Sequence, residues 1–251
     1  MAQNDFNHGI LDQTDHRPWP RPREPWIMSQ TWNDLLFAHW PIDIDVLRPK
    51  VPSGLEIDVF EGHAWLGIVP FHMTNVAPRF TPALPWLSAF PELNVRTYVR
   101  IGDKPGVYFF SLDASNPVAV HTARIVFHLP YHTAEMHVDV SGERVRYRSQ
   151  RRGYPKFVFE AEYGPTGPDS PPRPGSREEF LTERYCLYAA DSSGRLHRLE
   201  IHHPPWPLQP ADASITQNTM AEASGIPLPP AKPLLHFSKR QDMVGWPMHR
   251  I

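Results

Sequence analysis

Residues Ser88–Asp113 read SAFPELNVRTYVRIGDKPGVYFFSLD, and their pattern decides the fold. From Glu92 to Ile101 the residue types alternate. Leu93, Val95, Thr97, Val99 and Ile101 fall on one face, and Glu92, Asn94, Arg96, Tyr98 and Arg100 on the other. A period of two is that of a strand, whose successive side chains point to opposite sides. Gly102-Asp103-Lys104-Pro105-Gly106 supplies a turn, and Val107–Leu112 returns as an aromatic-rich strand. The predicted element is a β-hairpin. Its mixed face suits either a solvated sheet surface or the lining of a polar cavity, and function turns on which.

Outward from this hairpin the chain reads as mainly β. Its 30 prolines disfavour long helices and suit turn-bounded strands. Strands are expected around Leu55–Phe60, His63–Phe71, Thr133–Val140, Arg144–Gln150, Lys156–Tyr163, Arg184–Ala190, Arg195–His202 and Leu234–Lys239. Short helices are expected over Thr31–Trp40, within Ile42–Pro49, over Asn116–Phe127 with Pro117 in its first turn, and from the capping box at Ser176 over Arg177–Leu181. Thr74–Pro91, holding Phe80, Pro85, Trp86 and Phe90, reads as an aromatic loop that either caps a pocket or seals the end of a sheet. Residues 1–27 form an extended, proline-rich arm, disordered at its start, and residues 28–251 a single domain.

Composition excludes several function classes. The 25 basic and 27 acidic residues nearly cancel, so no basic stripe points to nucleic acid and no polybasic segment to a membrane surface. No apolar run approaches a membrane span, and the N-terminus lacks an apolar signal core, so a cytoplasmic protein is expected. The single cysteine, Cys186, precludes an internal disulfide and sits in an apolar strand pattern, where a buried inert thiol is the default. There is no Gly-x-Ser-x-Gly elbow, no Gly-x-Gly-x-x-Gly and no phosphate-binding loop, so no nucleotide cofactor is expected. Among the 14 histidines, His128, His132 and His137 lie close, and His202 and His203 are adjacent. Strand geometry turns neighbouring side chains apart and Pro130 breaks the helical spacing, so no metal is expected.

Several blocks together carry a family resemblance: Trp32–Pro41, Ala64–Phe71, Glu92–Val99, Pro105–Asp113, His203–Leu208 and Phe237–Asp242. On these the chain resembles the YqjF-like family, domain of unknown function 2071, which is similar in fold to acetoacetate decarboxylase. The resemblance implies antiparallel sheets closed into a cone or barrel around an apolar pocket. The decarboxylase carries a Schiff-base lysine in a Gly-Phe-Pro-Lys-Lys segment. The segment that looks equivalent here is Arg124–His132, in which Arg124 and Pro130 match while Tyr131 and His132 replace the lysines. Gly153-Tyr154-Pro155-Lys156 also resembles that motif, but it lies far from Glu92 in sequence and has no second lysine. Lys156 is expected to be a solvated lysine at a strand start.

Without an amine at the matching place, imine chemistry is disfavoured. The resemblance and the polar strand face leave a constellation: Glu92, Tyr131 and His132 as catalytic candidates, with Arg96, Arg124 and His128 as substrate-binding candidates. A buried glutamate with a raised pKa is a general base or acid, arginine clamps a carboxylate, and tyrosine or histidine donates to oxyanion charge. The expected partner is a small carbonyl- or carboxylate-bearing molecule, and a homo-oligomer is compatible with the sequence. Three readings stay open: an acid/base enzyme, a binding protein without turnover, and a structural subunit whose interior is packed shut.

Overall fold

The structure is a computed structural model that describes residues 6–83 and 87–251. The start of the arm (residues 1–5) and Pro85 and Trp86 of the aromatic loop lie outside the described residues.

The hairpin forms as β4 (Phe90–Ile101) and β5 (Lys104–Ala114), joined at Gly102-Asp103. Ahead of it come β1 (Met28–Ile42), the short helix α1 (Ile44–Leu47), β2 (Glu56–Ile57) and β3 (Ala64–Pro78). The order β12–β1–β3–β4–β5 makes one continuous wall, β12 being the last strand, Leu234–Arg250. After α2 (Pro117–Phe127) the chain forms β6 (Tyr131–Ser141), β7 (Arg144–Arg151) and β8 (Val158–Pro165), and β11 (Gln209–Asn218) joins β8 back to β12. Nine strands thus close into a ring. Between these segments α3 (Arg177–Thr182) leads into β9 (Cys186–Ala190) and β10 (Leu196–His202). These two strands bridge β5 to β12 on the other side of the wall.

The wall therefore has two buried faces, and this explains its sequence. Leu93, Val95 and Val99 of β4 pack with Leu36, Ala38, Leu66 and Ile68 against Tyr147, Phe159 and Tyr163 of β7 and β8, forming the main core. The alternate residues of the same strands face the enclosure completed by β9, β10 and α2.

That burial corrects the helix expected over Thr31–Trp40, which is the middle of β1. Leu36 and Ala38 face the main core, while Leu35 and Phe37 face the opposite cluster. A strand buried on both sides loses its alternation, and Leu35, Leu36, His39 and Trp40 then mimic helical spacing. β3 runs on to Pro78, past Asn75 at φ 54°, so the aromatic loop is shorter than expected. β12 continues to Arg250 rather than ending at Lys239 because it pairs with β1, β10 and β11. β11 was not foreseen: its inward residues Ala211, Ala213 and Ile215 are mostly too small to stand out as a strand face. The helix over Pro117–Phe127 and the capping box at Ser176 are where the sequence places them.

The described part of the arm lies on its own chain. Phe6 and Ile10 pack on Val244 and Trp246, the Arg17 guanidinium donates to the Ile201 carbonyl at 2.7 Å, and Trp19 Nε1 donates to Glu200 at 2.9 Å. No helix among the described residues is long and apolar enough to cross a membrane.

β5 and β9 approach closely at Gly106. A Cβ there would lie 2.7 Å from both the Cys186 carbonyl oxygen and its Sγ, and 2.9 Å from the Tyr188 ring. Gly106→Ala is expected to cost about 1–3 kcal/mol, the range for overpacked interiors, read as a lowered urea midpoint. An unchanged midpoint would show that the two strands separate freely. Burial pushes the neighbouring Cys186 thiol up to about 11, which fits an inert core residue.

Candidate functional site

The second face of the wall encloses a cavity of about 540 Å³. This cavity lies outside the nine-strand ring, whose own interior is filled by the main core around Leu93, Val95, Tyr147 and Phe159, so the sheets do not close around the pocket as expected. Strand period places Glu92, Asn94 and Arg96 of β4 in its lining, beside Val69, Phe71 and Met73 of β3. β5 contributes Val107, Phe109 and Leu112, and the bridging strands contribute Leu187, Leu199 and Ile201. Helix α2, capped by the Asn116 side chain and anchored by buried Val120, lies over the opening.

Glu92 is 3% exposed. The Tyr131 hydroxyl donates to its Oε2 at 2.8 Å, and the Tyr147 hydroxyl donates to its main-chain carbonyl at 2.7 Å. Burial pushes the carboxyl up to about 8, and the nearby charge of Asp113 adds to the rise, while the Tyr131 hydrogen bond opposes it. Tyr131 is pushed well above the usual phenol range by burial and by the Glu92 charge it faces.

Arginine occupies another part of the lining. Arg96 Nη2 donates to the Tyr98 hydroxyl at 3.3 Å and to the Leu181 carbonyl at 3.2 Å, and its guanidinium lies over Phe37. Its Nε is buried without a hydrogen-bond partner, as is Asn94 Oδ1. Buried Arg184 donates from Nη1 to Asp58 at 2.6 Å and from Nε to the Phe180 carbonyl at 2.6 Å. Burial lowers its pKa and Asp58 opposes that shift. Behind them the Tyr98 hydroxyl donates to the Leu181 carbonyl at 2.8 Å, so it accepts from His39 Nε2 at 2.6 Å, which fixes that tautomer. His203 also lines the cavity. Burial holds it at about 4, hence neutral, with Nδ1 donating to the Pro204 carbonyl at 2.7 Å.

Of the six residues singled out from sequence, Glu92, Tyr131 and Arg96 meet in this cavity. The other three do not line it. Because Tyr131 faces inward, its strand neighbour His132 faces the far side, among Ser111, Pro130 and Arg151, where burial and nearby arginines hold it at about 4. Arg124 is on the exposed side of α2, and its Nε donates to the Tyr131 carbonyl at 2.6 Å, steadying that residue from outside. His128 ends α2 in the left-handed region at φ 50° and packs its exposed ring on His197. Arg184 lines the cavity where Arg124 was expected to. Nothing local marks it, since α3 and the start of β9 bring it there.

Among the described residues no lysine lines the cavity, and no three His, Cys, Asp or Glu side chains are grouped to hold a metal. Lys156 is exposed in the turn between β7 and β8, over the Phe157 ring.

The family model described as "Uncharacterized conserved protein (COG2071)", DUF2071, matches residues 29–242. The chain belongs to the DUF2071 family. Uncharacterized protein YqjF of Bacillus subtilis (strain 168) is 48% identical over 225 residues, which span 90% of this chain and 93% of that protein. Among solved structures, acetoacetate decarboxylase from Legionella pneumophila aligns with a TM-score of 0.63 at 14% identity, covering 100% of this chain and 98% of the other. The enduracididine biosynthesis enzyme MppR complexed with pyruvate aligns at 0.63 and 12% identity, covering 94% and 93%. This DUF2071 member therefore has the fold of acetoacetate decarboxylase. At such identities the likeness extends to the fold alone.

Proposed function

We propose that the cavity takes up a small carbonyl- or carboxylate-bearing molecule and that Glu92 moves a proton on it. The observation that carries this reading is a proton-holding carboxyl in the wall of an apolar cavity. With a pKa of about 8, Glu92 is largely protonated at neutral pH. In that state it can donate to a carbonyl oxygen. After losing its proton it can take one from the carbon beside a carbonyl. The Tyr131 hydroxyl supports the charged state by donating to Oε2. Arg96 and Arg184 offer positive charge to a carboxylate or a developing enolate. A lining without lysine among the described residues favours this acid/base route over an imine. The fold neighbour MppR was solved complexed with pyruvate, a small oxo acid, which supports this reading.

A binding protein without turnover is the second reading. It is favoured by the protein partners that Arg96 and Arg184 already have. Screening 2-oxo and 3-oxo acids for binding and for turnover separates the two. Turnover of at least one acid is expected, with Glu92→Gln lowering kcat by about 10²–10⁴, the usual worth of a general acid or base, and changing Kd little. Binding with no turnover anywhere in the screen supports the second reading, and no binding at all sinks both.

A further inference from the structure

The cavity grades from polar to apolar in one direction, and the strand register shows it. The β4–β3 pairs run Arg96–Gly67, Asn94–Val69, Glu92–Phe71 and Phe90–Met73. Arg96 and Glu92 are four residues apart, roughly 13 Å along the strand. The polar side chains of β4 thus occupy one end, and beyond Glu92 both strands present apolar residues. The lining continues through Val76 and Pro78 of β3 and Met28 of β1, which pairs with Pro78. The polar end is closed by α3, where Arg96 and Tyr98 both bond to the Leu181 carbonyl. Over the opening, Val118 and Val126 of α2 line the cavity and still stand 51% and 52% exposed. A helix normally turns polar residues outward, and this one keeps apolar side chains at the rim.

A three-carbon oxo acid would leave most of the 540 Å³ without partner atoms, and pockets of this size commonly enclose drug-sized ligands. The geometry points to an amphipathic acid as the ligand, with its carboxylate toward Arg96 and Arg184, a carbonyl further along its chain within reach of Glu92, and an apolar tail continuing past Glu92 beneath α2. This rests on the acid/base reading above and adds to it the class of molecule.

The test is titration of the full chain with straight-chain carboxylic and 2-oxo acids of three to ten carbons. Binding is followed by calorimetry and by tryptophan emission, since Trp32 and Trp206 line the cavity and stack at 5.6 Å. Affinity is expected to rise roughly fourfold per added methylene until the cavity is filled, then level off. Methyl esters of the same acids are expected to bind at least about tenfold more weakly. Affinity independent of chain length, or tightest for the three-carbon acid, overturns the tail and leaves the head reading standing. No binding at any length overturns both. Thr122→Trp, placed on the lining side of α2, is expected to weaken the long acids more than the short ones. An equal loss across the series overturns the path beneath α2.

Discussion

Glu92→Gln is expected to gain stability relative to the native protein as pH rises from about 4.5 to about 8, and to level off above that. The native carboxyl has its pKa raised by folding, so the folded state holds a proton that the unfolded chain has already released. Its contribution is complete below the unfolded value and is lost as pH climbs through the folded one. Across the whole window the loss is on the order of 4 to 5 kcal/mol. Glutamine keeps nearly the same shape and has no proton to lose, so its stability lacks this slope. Urea unfolding of both proteins at pH 5 and pH 9 measures the difference. A gap that does not change with pH would show that Glu92 ionises freely, and one that moves in favour of the native protein by pH 9 would show that the fold favours its charged form. Tyr131→Phe should move the midpoint higher, because it removes the hydrogen bond that favours the charged carboxylate.

The second large effect concerns the ion pair behind the site. Asp113 is fully buried and Arg151 is 5% exposed. Arg151 holds Asp113 with two nitrogens, Nη2 to Oδ1 at 2.6 Å and Nε to Oδ2 at 3.0 Å. The pair ties β5 to β7 across β6, which pairs with β5 over the short ladder Leu112–Tyr131, Asp113–His132 and Ala114–Thr133. It therefore steadies the start of the strand that carries Tyr131. Asp113→Ala is expected to cost about 3–5 kcal/mol, because it strands a buried guanidinium. Arg151→Met should cost about as much by stranding the carboxylate, and the double variant Asp113→Ala/Arg151→Met much less than the sum. Additive losses in denaturant unfolding would mean the pair is not coupled. Asp113 also pushes the Glu92 pKa upward, so Asp113→Ala should shift the pH dependence of Glu92 downward as well.

Much of the site was legible where one strand carries the information. A period of two put Glu92, Asn94 and Arg96 on a common side before any fold was known, and the same rule set Leu93 and Val95 in the core. The family resemblance singled out Tyr131 among the residues after α2. The same rule could have excluded His132, since neighbours on a strand cannot both face one cavity. The helix expected over Thr31–Trp40 failed for a related reason. Alternation signals a strand only when one face is wet, and β1 is buried on both.

By itself, the chain's residue order determined the hairpin, the mainly β class and which side of β4 is polar, because these follow from local period and turn chemistry, while the family came from the resemblance of whole sequence blocks to known relatives. Only the tertiary structure decided that this polar side faces an enclosed cavity, that Arg184 rather than Arg124 lines it, and that burial makes Glu92 a proton holder. Enclosure and desolvation come from strands and helices distant in sequence, and no window along the chain contains the atoms that exclude the water.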